Sequence, residues 1–218
     1  ACKSIVKAGK SGKYLLKPVL TVLPRLTGVQ SVEGYVVPSL ANSQTAVTLQ
    51  QGGVVVRGTV PDVNGRFLLS PLPAAGSYDL VITADGRATA VMTGVPVTAT
   101  SVTTVTTAAA PIDLPASASA TASGSALTSA TPATVPDATI RALQVFGTAP
   151  AQTTIEVAAR RVDADDGGYA FVLPTAPLIA STYPSLTFTA QAATAGKYTL
   201  EAAVPGKLTQ LVDIDLLT

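Results

Sequence analysis

Apolar and polar positions alternate along much of this chain with a period of two. Residues 77–83 read Ser-Tyr-Asp-Leu-Val-Ile-Thr and place Tyr78, Leu80 and Ile82 on one face. Residues 197–204 repeat the pattern with Tyr198, Leu200 and Ala202. Residues 65–69 (Gly-Arg-Phe-Leu-Leu) enter another such segment from a glycine turn. Successive side chains of a strand point to opposite faces, so the alternation predicts short strands half-buried against a core. Seventeen glycines and sixteen prolines interrupt the chain so often that few stretches suit a helix. The pattern predicts an all-β chain of short antiparallel strands.

An internal repeat orders these strands. The first copy runs Pro61-Asp-Val-Asn-Gly-Arg-Phe-Leu-Leu-Ser-Pro-Leu-Pro and then Ala75-Gly-Ser-Tyr-Asp-Leu-Val-Ile-Thr-Ala-Asp-Gly-Arg. The second runs Asp163-Ala-Asp-Asp-Gly-Gly-Tyr-Ala-Phe-Val-Leu-Pro and then Ala195-Gly-Lys-Tyr-Thr-Leu-Glu-Ala-Ala-Val-Pro-Gly-Lys. Both follow one order: acidic turn, aromatic strand, Pro, Ala-Gly-x-Tyr, strand, and a closing Gly-Arg or Gly-Lys turn. The second copy carries an insertion around 175–185. The predicted organisation is a basic N-terminal segment and strand (1–30), a first β-sandwich (31–107), an Ala/Ser/Thr/Pro-rich linker (108–122) and a second β-sandwich (123–218).

The repeat residues Asp62-Val-Asn-Gly-Arg-Phe with Gly76-Ser-Tyr-Asp-Leu, and Asp165-Asp-Gly-Gly-Tyr-Ala-Phe with Gly196-Lys-Tyr-Thr-Leu, resemble carboxypeptidase-regulatory-like domains. The resemblance implies two tandem Ig-like, transthyretin-like sandwiches of seven strands each, over about 35–107 and 123–216, and is nearly silent on function. The stretch Ser4-Ile-Val-Lys-Ala-Gly-Lys-Ser-Gly-Lys-Tyr-Leu-Leu-Lys-Pro-Val-Leu is similar to the closing segment of an uncharacterised domain of bacterial surface lipoproteins. In such proteins that domain precedes regulatory-like domains. This second resemblance implies a longer precursor, with a disulfide partner for Cys2 in the missing part. Read on its own, Cys2 has three readings: a lipidated thiol, a thiol paired outside this chain, or an inert one.

Composition narrows the chemistry. Among 218 residues there is no His, no Trp, one Cys and one Met. A His-dependent triad, a His base, a His-ligated metal and an internal disulfide framework are therefore excluded. The net charge of +1 argues against a nucleic-acid binder. Mean hydropathy is +0.42, yet no apolar run approaches the ~18 residues of a membrane helix. Only 12% of residues are charged, and the abundance of Thr, Ser, Ala and Gly matches secreted and bacterial surface β-proteins. No cofactor motif is present. Ser4-x-x-Lys7 lacks the companion Ser and Lys elements of acyl-serine enzymes, and Gly9-Lys10-Ser11 lacks the earlier glycine of a phosphate loop.

Three features remain as candidate sites. Asp163, Asp165 and Asp166 offer clustered oxygen ligands to a cation, but a hairpin turn needs the same residues. Tyr35, Tyr78, Tyr169, Tyr183 and Tyr198 could form a sugar-stacking face; Tyr78 and Tyr198 are expected in the core, which leaves Tyr183 as the surface candidate. The third is the N-terminal arm. It carries Lys3, Lys7, Lys10, Lys13, Lys17 and Arg25 without a single acid, then the apolar, β-prone stretch 13–23. A strand whose parent domain is missing must pair elsewhere or leave its backbone unsatisfied. We therefore expect a non-enzymatic extracellular subunit that polymerises into a pilus-like filament by donating Tyr14, Leu15, Leu16, Val19, Leu20, Val22 and Leu23 to a neighbouring copy. The alternative is a monomeric surface module or stalk for adhesion, with a surface polysaccharide as partner.

Overall fold

The computed structural model describes residues 30–128, 133–135, 137–204 and 206–218, together with the backbone of two short strands before them. These two are β1 (Ile5–Lys7) and β2 (Tyr14–Leu16), antiparallel to each other with Val6 opposite Leu15. The other residues of the predicted donor strand, Val19, Leu20, Val22 and Leu23, lie outside the described residues, as do Cys2 and Ser4.

Seven strands form the first sandwich: β3 (Ser31–Tyr35), β4 (Thr45–Gln51), β5 (Val54–Thr59), β6 (Arg66–Leu69), β7 (Gly76–Ala84), β8 (Ala90–Val97) and β9 (Val102–Thr104). One sheet has the order β5-β4-β7-β8 and the other β6-β3-β9. Every pair is antiparallel except β3–β9, where Val32 lies beside Thr103 in parallel. The core between the sheets contains Val32, Leu49, Phe67, Leu69, Leu80 and Ile82, all essentially without solvent contact. Tyr78, Leu80 and Ile82 do share the buried face that their alternation predicts.

The chain continues with β10 (Ser119–Ser125), β11 (Thr139–Phe146), β12 (Thr153–Arg161), β13 (Gly168–Pro174), β14 (Ile179–Thr182), β15 (Thr189–Ala190), β16 (Lys197–Ala203) and β17 (Gln210–Asp215). β12-β11-β16-β17 form one sheet of the second sandwich, and β10-β13 the facing one. The insertion of the second repeat copy does not stay with it. β14 runs parallel to β8, with Ile179 beside Ala90 and Thr182 beside Thr93, and β15 pairs outside β14. The second copy thus covers the outer edge of the first sandwich.

The stretch expected as a linker is packed rather than free. Ile112 and Leu114 are buried in the first core, and the Val37 amide donates to the Ile112 carbonyl at 2.9 Å. Its last residues already belong to β10, whose sequence Ser-Ala-Thr-Ala-Ser-Gly-Ser has little intrinsic strand preference. Small residues are required there because β13 lays aromatic side chains across them: Gly124 sits opposite Tyr169 and Ala122 opposite Phe171.

A dry joint holds the two sandwiches together. Val81 and Val91 from the first pack with Phe146 and Ile155 of the second and with Leu178. The buried Gln50 side chain pairs with both backbone groups of Glu156, donating to its carbonyl at 2.7 Å and accepting from its amide at 2.8 Å. Arg141 donates to Glu156 and Glu201, at 2.6 Å each, and to the Gly53 carbonyl across the joint. Burial works against the Arg141 charge, but the two carboxylates outweigh it and raise its pKa.

Candidate functional site

The repeat superimposes strand by strand. Gly34 faces Phe67 in the first sandwich as Gly124 faces Tyr169 in the second, and Val32 faces Leu69 as Ala122 faces Phe171. The Val36 amide bonds the Gly65 carbonyl as the Ala126 amide bonds that of Gly167. β3 therefore corresponds to β10, β6 to β13, β7 to β16 and β8 to β17. One strand has no counterpart. Among the described residues nothing in the second sandwich stands where β9 stands in the first, beside the outer edge of β10.

The consequence is an open groove of about 650 Å³ between the two sheets. Its apolar floor is Ile140, Leu200 and Ala202, and its walls are Ala122, Val212 and Ile214. Burial follows the missing strand. Phe67 is buried, whereas its counterpart Tyr169 is only half-buried. On its core-facing side β8 buries Ala90, Met92, Val95 and Val97, whereas on the groove side of β17 Val212 is 58% exposed. Leu208, just before β17, is 88% exposed. Two strand edges border the groove without strand partners among the described residues, that of β10 and that of β17. Unpaired backbone beside exposed apolar surface is what an added strand satisfies.

The other sequence candidates are placed as follows. Asp163 accepts the Asp165 amide at 2.8 Å, and Asp166 accepts the Gly168 amide at 2.7 Å. The Asp62 carboxylate likewise accepts the amides of Asn64 (2.8 Å) and Arg66 (3.0 Å). Both clusters are hairpin turns closed by their own carboxylates. Among the described residues, no group of three or more Cys, Asp or Glu side chains is arranged to hold a metal. Tyr78 and Tyr198 are core residues whose hydroxyls donate to the carbonyls of Ala74 (3.0 Å) and Pro174 (2.6 Å). Burial raises the pKa of Tyr198. Tyr183, the surface candidate, packs against the first core and is half-buried. The tyrosines do not gather on one face: Tyr78 and Tyr198 are buried in the two different cores, Tyr169 lines the groove, Tyr183 packs against the first core, and Tyr35 is half-buried on β3.

Sequence reasoning proposed a donor segment and did not foresee the groove. Of the groove residues, Leu200 falls in the repeat motif, whereas Ala122, Ile140 and Val212 carry none.

No family model matches the sequence, and no curated protein matches it. Among solved structures, the chain is similar to part of two type II cohesin–X-dockerin complexes from Acetivibrio cellulolyticus, a C-terminal and an N-terminal interface mutant. Identity is 27% in each, with TM-scores of 0.32 and 0.33. The match covers 40% of this chain and 58% of the chain it resembles, so this protein spans less than two thirds of the length of those neighbours.

Proposed function

We propose that this chain is a non-enzymatic extracellular structural subunit that self-assembles by β-strand donation. The observation that carries the reading is the groove of the second sandwich, apolar inside and bordered by two unpaired strand edges. The occupant is segment 13–23 of another copy. That segment is apolar and β-prone, and it belongs to an arm of opposite charge to the rest of the chain. Residues 1–29 hold six cations and no acid, while residues 30–218 hold eight cations and all thirteen acids. Attraction between arm and body favours encounter, and apolar burial holds the joint. Each large donated side chain contributes about 1.5–3 kcal/mol. Donation from one copy to the next is head-to-tail and does not close on itself, so it produces a filament.

The absence of His and the engagement of the aspartate turns in their own hairpins support a structural role rather than catalysis. The test is electron microscopy and light scattering on the native chain beside the double variant Leu20→Asp, Val22→Asp. Filaments from the native chain and a folded monomer from the variant are expected. A native chain that stays monomeric at high concentration, or a variant that still forms filaments, would refute the assignment.

A further inference from the structure

The first sandwich also shows how the second is to be closed. There, β9 lies parallel to β3, and the chain beyond it continues the contact: the Val105 amide donates to the Glu33 carbonyl at 2.9 Å, and the Thr106 hydroxyl donates to the Tyr35 carbonyl at 3.0 Å. Val105 is 6% exposed and seals the core over Gly34 and the Phe67 ring. The crowding around that glycine measures the seal. A Cβ built on Gly34 would meet Phe67 Cζ at 2.6 Å on one side, and Val105 Cγ2 at 2.7 Å and Thr106 Oγ1 at 2.8 Å on the other. For a Cβ built on Gly124 the three nearest atoms all belong to Tyr169, with its hydroxyl oxygen at 2.6 Å and Cζ at 2.9 Å. The aromatic half of the contact is in place, and the strand half is absent.

Chain order points the same way. The interval from Thr104, the end of β9, to Ser119, the start of β10, is fifteen residues; from Leu16, the end of β2, to Ser31, the start of β3, it is also fifteen. The N-terminal segment thus precedes the first sandwich as the seventh strand of the first sandwich precedes the second.

Resting on the strand-donation reading, we infer that the donated segment enters the second sandwich as its seventh strand: parallel to β10, along that strand's free edge, with an apolar side chain seated over Gly124 against Tyr169 as Val105 is seated over Gly34 against Phe67. The edge of β17 is not the acceptor. Its counterpart in the first sandwich, the edge of β8, is covered by β14, a different element from the sealing strand.

Disulfide trapping in the full-length chain, on a Cys2→Ser background, tests direction and edge together. Acceptor copies carry Thr121→Cys, Ser125→Cys or Leu211→Cys; donor copies carry single cysteines scanned from 14 to 23. These acceptor side chains are exposed, so the substitutions leave the core intact. Parallel insertion at β10 predicts that the best-linked donor position rises by about four when the acceptor moves from 121 to 125, with Leu211→Cys unlinked. A donor position that falls as the acceptor number rises, or linkage concentrated at Leu211→Cys in chains that still form filaments, overturns the inference and leaves strand donation standing. An absence of both filaments and intermolecular links overturns the two together.

Discussion

The two sandwiches share a repeat, a turn chemistry and a strand order, yet one is sealed and the other open. The difference is a single strand. Where β9 and Val105 lie against β3, Phe67 is fully buried and the core is dry. Where no strand pairs with the outer edge of β10 among the described residues, Tyr169 is half-buried and β17 shows Val212 to solvent. Sequence similarity between the copies therefore coexists with different packing: the core of the first is covered, and that of the second opens into a groove. The second copy even lends β14 and β15 to finish the first while its own edges stay bare.

The sharpest way to break the comparison is to remove the equivalent aromatic from each copy. Phe67→Ala deletes a ring packed on every side and is expected to cost about 3–5 kcal/mol. Tyr169→Ala deletes a half-exposed ring and is expected to cost about 1 kcal/mol in the isolated chain. In filaments the order changes, because the donated strand buries Tyr169. Urea unfolding of monomers set against the dissociation midpoints of filaments measures both. Equal losses in the monomer would mean that the second core is already closed.

Much of this was legible in the residues. The alternation of Tyr78, Leu80 and Ile82 gave a buried face, and the Asp-Val-Asn-Gly and Asp-Asp-Gly runs gave hairpins. Three features were not. β10 reads as linker, because Ser, Ala, Thr and Gly have weak strand preference and become a strand only opposite the aromatics of β13. The parallel pairing of β14 with β8 joins residues some ninety positions apart, and no local pattern encodes such a pairing. Gln50 carries no signal in the sequence, and its two hydrogen bonds to Glu156 depend wholly on how the sandwiches meet.

Filling the groove should erase the difference between the copies. A synthetic peptide of residues 13–23, added to the chain held monomeric by Leu20→Asp and Val22→Asp, is expected to stabilise the second sandwich by about 2.7 kcal/mol at a hundredfold excess over its Kd. The first sandwich should not respond. Calorimetry with and without peptide reads the shift, and a scrambled peptide of equal effect would reduce the result to non-specific binding.

The joint offers a smaller perturbation. Gln50→Ala strands the amide and carbonyl of Glu156 in a buried setting and is expected to cost about 2 kcal/mol. Because the loss falls between the sandwiches rather than inside either, the two should then melt as separate transitions. A single transition shifted downward would place the loss inside one sandwich instead.

The smallest expected effect concerns a position where the copies differ in charge. Tyr78 and Tyr198 are equivalent, so Asp79 corresponds to Thr199. Thr199 is satisfied by the Asp213 carboxylate of β17 at 2.7 Å. Asp79 instead faces the irregular stretch of β8 between Met92 and Val95, where Gly94 takes a φ of 73°. Burial raises the Asp79 pKa above 3.8, and the hydrogen bond to the Gly94 backbone offsets this only in part. A carboxyl whose folded pKa is raised holds its proton more tightly in the folded state. It costs nothing at a pH below the unfolded value, and the cost develops as pH rises through the raised folded value and persists at neutrality. Asp79→Asn removes the charge while keeping an acceptor for Gly94. After discounting for its partial exposure, the gain at pH 7 is about 0.3 kcal/mol, falling to nil near pH 3. Paired urea midpoints at the two pH values measure it, and a variant less stable than the parent at pH 7 would show that the charged hydrogen bond to Gly94 outweighs the burial of the carboxylate.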